Sequence, residues 1–191
     1  MVLASCGEKK AAETAAETVN KETSPAETSY KPAFEGQTRI FGIKTNTPIK
    51  LEQLSTTLQN PWGIAQLPNG KLLVTQKGGS IVVLSANGNT EHVINNIPTV
   101  NSNGQGGLLD IYVDDNFTSN RAIYWSFSLD ENGGTMTALA KGKLSQNEDD
   151  ITEISIIYKA GPSYAGALHY GGRIIMDNTG ALLLSTGDRS D

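Results

Sequence analysis

The chain has 191 residues, 38% of them apolar and 18% charged, with a net charge of −5. This is a globular composition without any apolar run of the roughly 20 residues that a membrane-crossing helix requires. The acidic balance argues against nucleic acid as a partner, because phosphate binding needs a basic surface.

The first feature along the chain is Leu3-Ala4-Ser5-Cys6. It has the form of a bacterial lipobox: a branched apolar residue, two small residues, and a cysteine that is acylated and becomes the mature N-terminus. Cys6 is the one cysteine of the chain, so no intramolecular disulfide framework exists. A complete signal peptide also carries a basic region and an apolar stretch of roughly 7–15 residues. Only Met1 and Val2 precede the box, so residues 1–6 are read as the remnant of such a signal. The expectation is a lipid anchor on Cys6, a membrane partner through that anchor, and a place in the cell envelope on the periplasmic or outer-membrane surface.

Residues 7–35 are mostly Ala, Glu, Thr and Lys, too poor in apolar side chains to offset the entropy of ordering. Pro25 and Pro32 limit any helix there. Residues 7–48 are therefore expected to be a disordered tether and lead-in, and residues 49–191 the folded part.

From residue 49 the pattern is all-β. Short strands are predicted over 62–67, 71–76 and 80–84, joined by Pro68-Asn69-Gly70 and Gly78-Gly79, which are hairpin turn signals. A fourth, 91–97, follows Asn87-Gly88-Asn89. Four consecutive antiparallel strands make one propeller blade. A second unit is predicted from strands at 107–113, 122–127, 135–144 and 153–158, with a loop at 114–120. A third begins where Ala181-Leu182-Leu183-Leu184-Ser185 matches Lys71-Leu72-Leu73-Val74-Thr75 after an Asn-containing turn. Propellers close with roughly 4–8 blades, and about two and a half are present. A chain that stops at Gly187-Asp188-Arg189-Ser190-Asp191, inside a repeat, is expected to be a fragment that forms no stable monomer, because it leaves blade edges unpaired.

Two histidines are available for chemistry. His92 lies among Glu91, Asn95 and Asn96 on an outer strand and reads as a surface residue. His169 sits in Ala167-Leu168-His169-Tyr170-Gly171-Gly172-Arg173, a glycine-flanked loop entering a strand. Imidazole is the side chain best matched to proton transfer near neutral pH, and loops at one end of a propeller converge on its channel. The segment Asn101 to Leu109 is glycine-rich, with Gln105 offering donors and acceptors. It reads either as a ligand-approach loop or as an ordinary connection between blades, and it lacks the Lys-Ser or Lys-Thr of a phosphate loop. One cysteine and two scattered histidines allow no zinc set.

Taken together, these motifs resemble the glucose/sorbosone dehydrogenases that use pyrroloquinoline quinone. The likeness is carried by Pro61-Trp62-Gly63-Ile64-Ala65 with Leu67-Pro68-Asn69-Gly70-Lys71-Leu72-Leu73-Val74-Thr75. Gly104-Gln105-Gly106-Gly107-Leu108-Leu109-Asp110, Gly134 to Leu144, His169 to Arg173, and Thr186-Gly187-Asp188-Arg189 follow in the family's order. The resemblance implies a six-bladed β-propeller of which the first two to three blades are present. It also implies oxidation of the C1 hydroxyl of an aldose sugar to a lactone, with hydride passing to the quinone, calcium polarising the quinone, and an external acceptor taking the electrons. His169 is implied as the catalytic base and Gln105, Asp188 and Arg173 as the cofactor side, Arg173 being suited also to bracing the loop. The family's cofactor-clamping cations and calcium ligands come from later blades. Two departures stand out: Leu168 occupies the place where some members put a carboxylate, and Thr75-Gln76-Lys77 replaces the commoner Thr-Glu-Arg. The rival readings are a non-catalytic propeller lipoprotein that binds glycan or protein, and a propeller lactonase or hydrolase, which would carry a carboxylate and asparagine metal cage.

Overall fold

A computed structural model describes residues 18–19, 24, 28–37 and 42–190. Cys6 and much of the expected tether lie outside the described residues. The chain divides into two units, Met1–Glu52 and Gln53–Asp191. In the first, β1 (Thr18–Val19) pairs antiparallel with β2 (Gly42–Ile43), Thr18 opposite Ile43. This short ladder falls within the stretch expected to lack structure.

The second unit is built of antiparallel sheets. β3 (Pro61–Gln66), β4 (Leu72–Gln76), β5 (Ser80–Leu84) and β6 (Thr90–Ile94) form one four-stranded sheet in chain order. β7 (Leu108–Val113), β8 (Ala122–Glu131), β9 (Gly134–Leu144) and β10 (Ile151–Lys159) form a second in the same order. β11 (Gly171–Met176) and β12 (Leu182–Thr186) pair as a third. The strands agree with the sequence reading apart from shifted ends. The exception is α1 (Phe117–Asn120), a single turn where a loop was expected. Phe117 buries its ring there, and the Asp114 carboxylate accepts from the Asn116 N–H and the Asn120 amide. Local polar contacts and one buried aromatic create this turn, and neither has a periodic signature.

The repeat is written in the turns. Gly70 N–H donates to Leu67 O, Gly88 N–H to Ser85 O and Gly180 N–H to Asp177 O, at 2.9, 2.9 and 3.0 Å. Gly70 and Gly180 occupy equivalent places in the first and third sheets with φ of +87° and +85°, a region costly for residues with a Cβ.

It is written a second time between the sheets. The Gly63 N–H donates to Thr75 Oγ1 at 2.7 Å, and the Thr75 hydroxyl donates onward to Leu109 O of β7. One sheet further on, the Asp110 N–H donates to Ser126 Oγ at 3.0 Å, and Ser126 donates to Gly172 O of β11. The Arg173 N–H then donates to Ser185 Oγ at 2.9 Å. Each hydroxyl ties the first two strands of its own sheet together, and the first two also tether the opening strand of the next. The opening strands β3, β7 and β11 are thereby held side by side, as the inner strands of successive propeller blades are. Gly63 must be glycine, since a Cβ would stand 2.9 Å from Leu109 O and 3.0 Å from Thr75 Oγ1.

Removing that hydroxyl should be costly. Thr75→Val keeps the shape but strands a buried N–H and a buried carbonyl, so a loss of about 2 kcal/mol is expected in urea denaturation. Thr75→Ser should lose less than half of that.

The core lies between these sheets. One apolar cluster takes Leu73, Ile81 and Val83 from the first sheet and Ile111, Ile123, Trp125 and Phe127 from the second, all nearly free of solvent. Val74, Val82 and Leu84, alternating with that set, form a second cluster with Leu58 and Leu72 on the opposite face. The run Leu108–Ile111 is buried throughout because β7 is covered on both faces.

Candidate active site

The antiparallel order brings the connections after β4, β6, β8 and β10 to one end of the second unit. There Gln105 N–H donates to Ala167 O at 2.7 Å, Lys77 Nζ to Gly104 O at 2.7 Å, and Thr135 N–H to Tyr164 O at 2.9 Å. The segment between β10 and β11, which carries His169, is thus pinned by loops from several strands.

His169 adopts a left-handed backbone, φ +47°, which a non-glycine residue keeps only when its surroundings impose it. Its N–H donates to Gln105 Oε1 at 2.9 Å. Behind it, a Cβ on Gly187 would collide with the His169 carbonyl, so the Gly187-Asp188 segment packs directly on the histidine backbone. That contact delivers Asp188: its Oδ1 lies 2.7 Å from His169 Nδ1. The Ser190 N–H first, and His169 second, hold the Asp188 carboxyl below the usual carboxylate range. Asp188 is therefore charged from mildly acidic pH upward and accepts the Nδ1 proton, leaving Nε2 as the nitrogen free to take a proton. Because this folded-state value is depressed, the contact is present above the ordinary value of 3.8 and is lost only as pH falls beneath it. The imidazole is half exposed, open to a ligand.

Asp188, expected on the cofactor side, sits on the imidazole and supplies the carboxylate absent at Leu168. Gln105 sits on the His169 backbone. Arg173 pairs with Asp110, Nη1 to Oδ1 at 2.8 Å, and its guanidinium stands 5.6 Å above the Trp62 ring. Asp110 is 1% exposed and also accepts the Ile174 N–H at 2.8 Å. Trp62 on β3, Asp110 on β7 and Arg173 on β11 thus link three adjacent strands. Asp110 went unassigned in the sequence, although a lone carboxylate inside the apolar run Leu108–Val113 was a legible sign of a buried cationic partner. Arg189 was also unassigned, and its signal was weaker: a guanidinium two residues from a glycine at a strand end.

Chemically, the site offers one oriented base, one amide, two cations and an aromatic face. The exposed Arg173 guanidinium, paired with Asp110 and stacked over Trp62, is suited to an anionic planar ligand, and Lys77 Nζ is held on Gly104 O of the neighbouring loop. Among the described residues, no group of three His, Cys, Asp or Glu side chains gathers to hold a metal.

These features have counterparts in known proteins. The family model for glucose/sorbosone dehydrogenase matches residues 58–191. The aldose sugar dehydrogenase YliI of Escherichia coli (strain K12) is 31% identical over 144 residues, covering 74% of this chain and 39% of that protein. A solved glucose dehydrogenase superposes with a TM-score of 0.68 at 30% identity, over 72% of this chain and 44% of the other. The apo form of the soluble aldose sugar dehydrogenase from Escherichia coli gives 0.68 at 31% identity, over 72% and 40%. The PQQ-bound aldose sugar dehydrogenase from Streptomyces coelicolor gives 0.62 at 26% identity, over 74% and 42%. The chain spans about two fifths of the length of these relatives. With the propeller sheets, the His169 loop and a family model covering most of its length, the chain belongs to the glucose/sorbosone dehydrogenase family.

Proposed function

We propose that the protein oxidises aldose sugars at C1 to lactones, using pyrroloquinoline quinone and passing the electrons to an external acceptor. The observation that carries this reading is the His169–Asp188 pair, which leaves Nε2 as an open base. The names of the relatives, and the PQQ-bound state of one of them, support the substrate class and the cofactor.

When bound, the quinone supplies the acceptor for the hydride that leaves C1. The chain's own residues do the rest. His169 Nε2 takes the C1 hydroxyl proton as the C–H bond breaks, so the carbon becomes a carbonyl and the proton stays on the imidazole. Asp188 fixes the ring and stabilises the imidazolium that forms. Gln105 holds the backbone that presents the ring. Lys77 and Arg173, with Trp62 beneath the guanidinium, are the groups assigned to the carboxylates and plane of the cofactor. Calcium is assigned to ligands outside the described residues, and none of these steps depends on it.

The lipobox reading supports anchorage at the cell envelope through acylated Cys6. Labelled palmitate should enter the wild type and not Cys6→Ala; equal labelling of both would end that reading.

The deciding experiment uses the full-length protein, reconstituted with pyrroloquinoline quinone and calcium and assayed by dye reduction against a panel of aldoses. Reduction that requires both sugar and cofactor is the expected result. A wild type that binds no cofactor and reduces no dye would hand the site to a non-catalytic binding role.

A further inference from the structure

Arg189 reaches two backbone carbonyls of the His169 loop, one of them shared with the Thr135 hydroxyl. Arg189 donates from Nε to Leu168 O at 2.9 Å and from Nη2 to Gly166 O at 2.6 Å. It also donates from Nη1 to Thr135 O and from Nη2 to Thr135 Oγ1, each at 2.8 Å. The guanidinium lies over the ring of buried Tyr170, 3.9 Å from its centre. Thr135 in turn donates to Gly166 O at 2.8 Å, and its hydroxyl lies 2.8 Å from the Tyr170 hydroxyl. Carbonyls on both sides of Ala167, the start of β9 and the Tyr170 ring thus converge on one planar cation.

This convergence brackets the base. His169 follows Leu168 directly, so the peptide plane whose carbonyl Arg189 holds also carries the N–H of left-handed His169. Asp188 grips the imidazole, and its neighbour Arg189 grips the chain that carries the imidazole. A guanidinium can do this because its donors leave in fixed, coplanar directions; an ammonium is a single point and cannot serve these separate acceptors in the same way.

We propose that Arg189 is a positioning residue for the sugar oxidation: by fixing the Gly166 and Leu168 carbonyls it locks the His169 backbone and so aims Nε2. The inference rests on the dehydrogenase reading for its catalytic consequence, but the locking itself is observable without turnover.

The test uses Arg189→Lys and Arg189→Ala in the full-length protein. In amide hydrogen exchange, the His169 N–H, which donates to Gln105, should exchange at least about tenfold faster in Arg189→Lys, with the amides of β5 unchanged. In the reconstituted enzyme, kcat should fall about 10–100-fold with KM changed less than about threefold, since misplacement of a catalytic group by about 1 Å costs about that much. Added guanidinium should restore part of the rate of Arg189→Ala, while methylammonium should not. A generally destabilised protein would show neither the selective rescue nor the confined exchange. Wild-type exchange at His169 in Arg189→Lys, or a kcat within twofold of wild type, overturns the proposal. Should Arg189→Ala fail to fold, Arg189→Lys alone decides by the same two criteria. A wild type that oxidises no aldose removes the dehydrogenase reading, and the exchange measurement still decides whether Arg189 locks the loop.

Discussion

His169→Gln is expected to lower sugar-dependent turnover by about 10²–10⁴-fold, the usual worth of a positioned general base, while cofactor binding is retained. Glutamine fills a similar volume and its backbone N–H can still donate to Gln105, so the loop should keep its course. What it lacks is a nitrogen that can hold the C1 proton near neutral pH. Asp188→Asn should act through the same ring with a smaller loss, about 10–100-fold. An amide can donate to Nδ1 as well as accept from it, so the tautomer that frees Nε2 is no longer enforced, and the charge that stabilises the imidazolium is gone. Steady-state kinetics with a titration of quinone binding separates these outcomes. Equal loss of cofactor affinity and rate in His169→Gln would move the residue from base to cofactor ligand.

Trp125→Ala should have the largest effect on stability, a loss of about 3–5 kcal/mol in denaturant unfolding. Trp125 is fully buried on β8, within the cluster that joins the first two sheets. A Cβ on Gly142 would stand 3.2 Å from its ring and 2.5 Å from Ile151, so the neighbouring strand has closed tightly around the indole. Such a site cannot collapse to fill the space an alanine would leave. By contrast, Val93→Ala, at a residue 49% exposed on β6, should change stability by less than about 0.5 kcal/mol. Equal effects at the two positions would mean that the sheets are not held together by this cluster.

Both expectations depend on the same division of labour between local sequence and tertiary contact. Strand positions were legible because they rest on two local signals, runs of β-branched and aliphatic residues and turns such as Pro68-Asn69-Gly70 that need a positive φ. The repeat was legible because Thr75 and Ser185 recur at the same offset from those turns, and the structure gives them the same job of accepting a neighbouring N–H. Ser126 performs that job in the middle sheet, yet no matching turn marks its place in the sequence. The turn Phe117–Asn120 was missed because a single buried ring and the local Asp114 contacts leave no period to detect.

The site was legible in part. His169 and the Gly-Asp segment were visible as residue types in glycine-rich contexts, and the family likeness gave them an order. What sequence could not assign was who touches whom. Asp188 lies 19 residues from His169, Asp110 lies 63 from Arg173, and Arg189 lies 54 from Thr135. Those pairings exist only because sheet stacking sets β7, β9, β11 and the loop after β12 against one another. Alternating apolar residues and turn glycines were enough to determine an all-β chain of repeated hairpins, because each acts over a few residues. The orientation of the base, the carboxylate beneath Arg173 and the guanidinium behind Leu168 were decided by tertiary structure alone, because hydrogen-bond direction depends on distant backbone that no local pattern encodes.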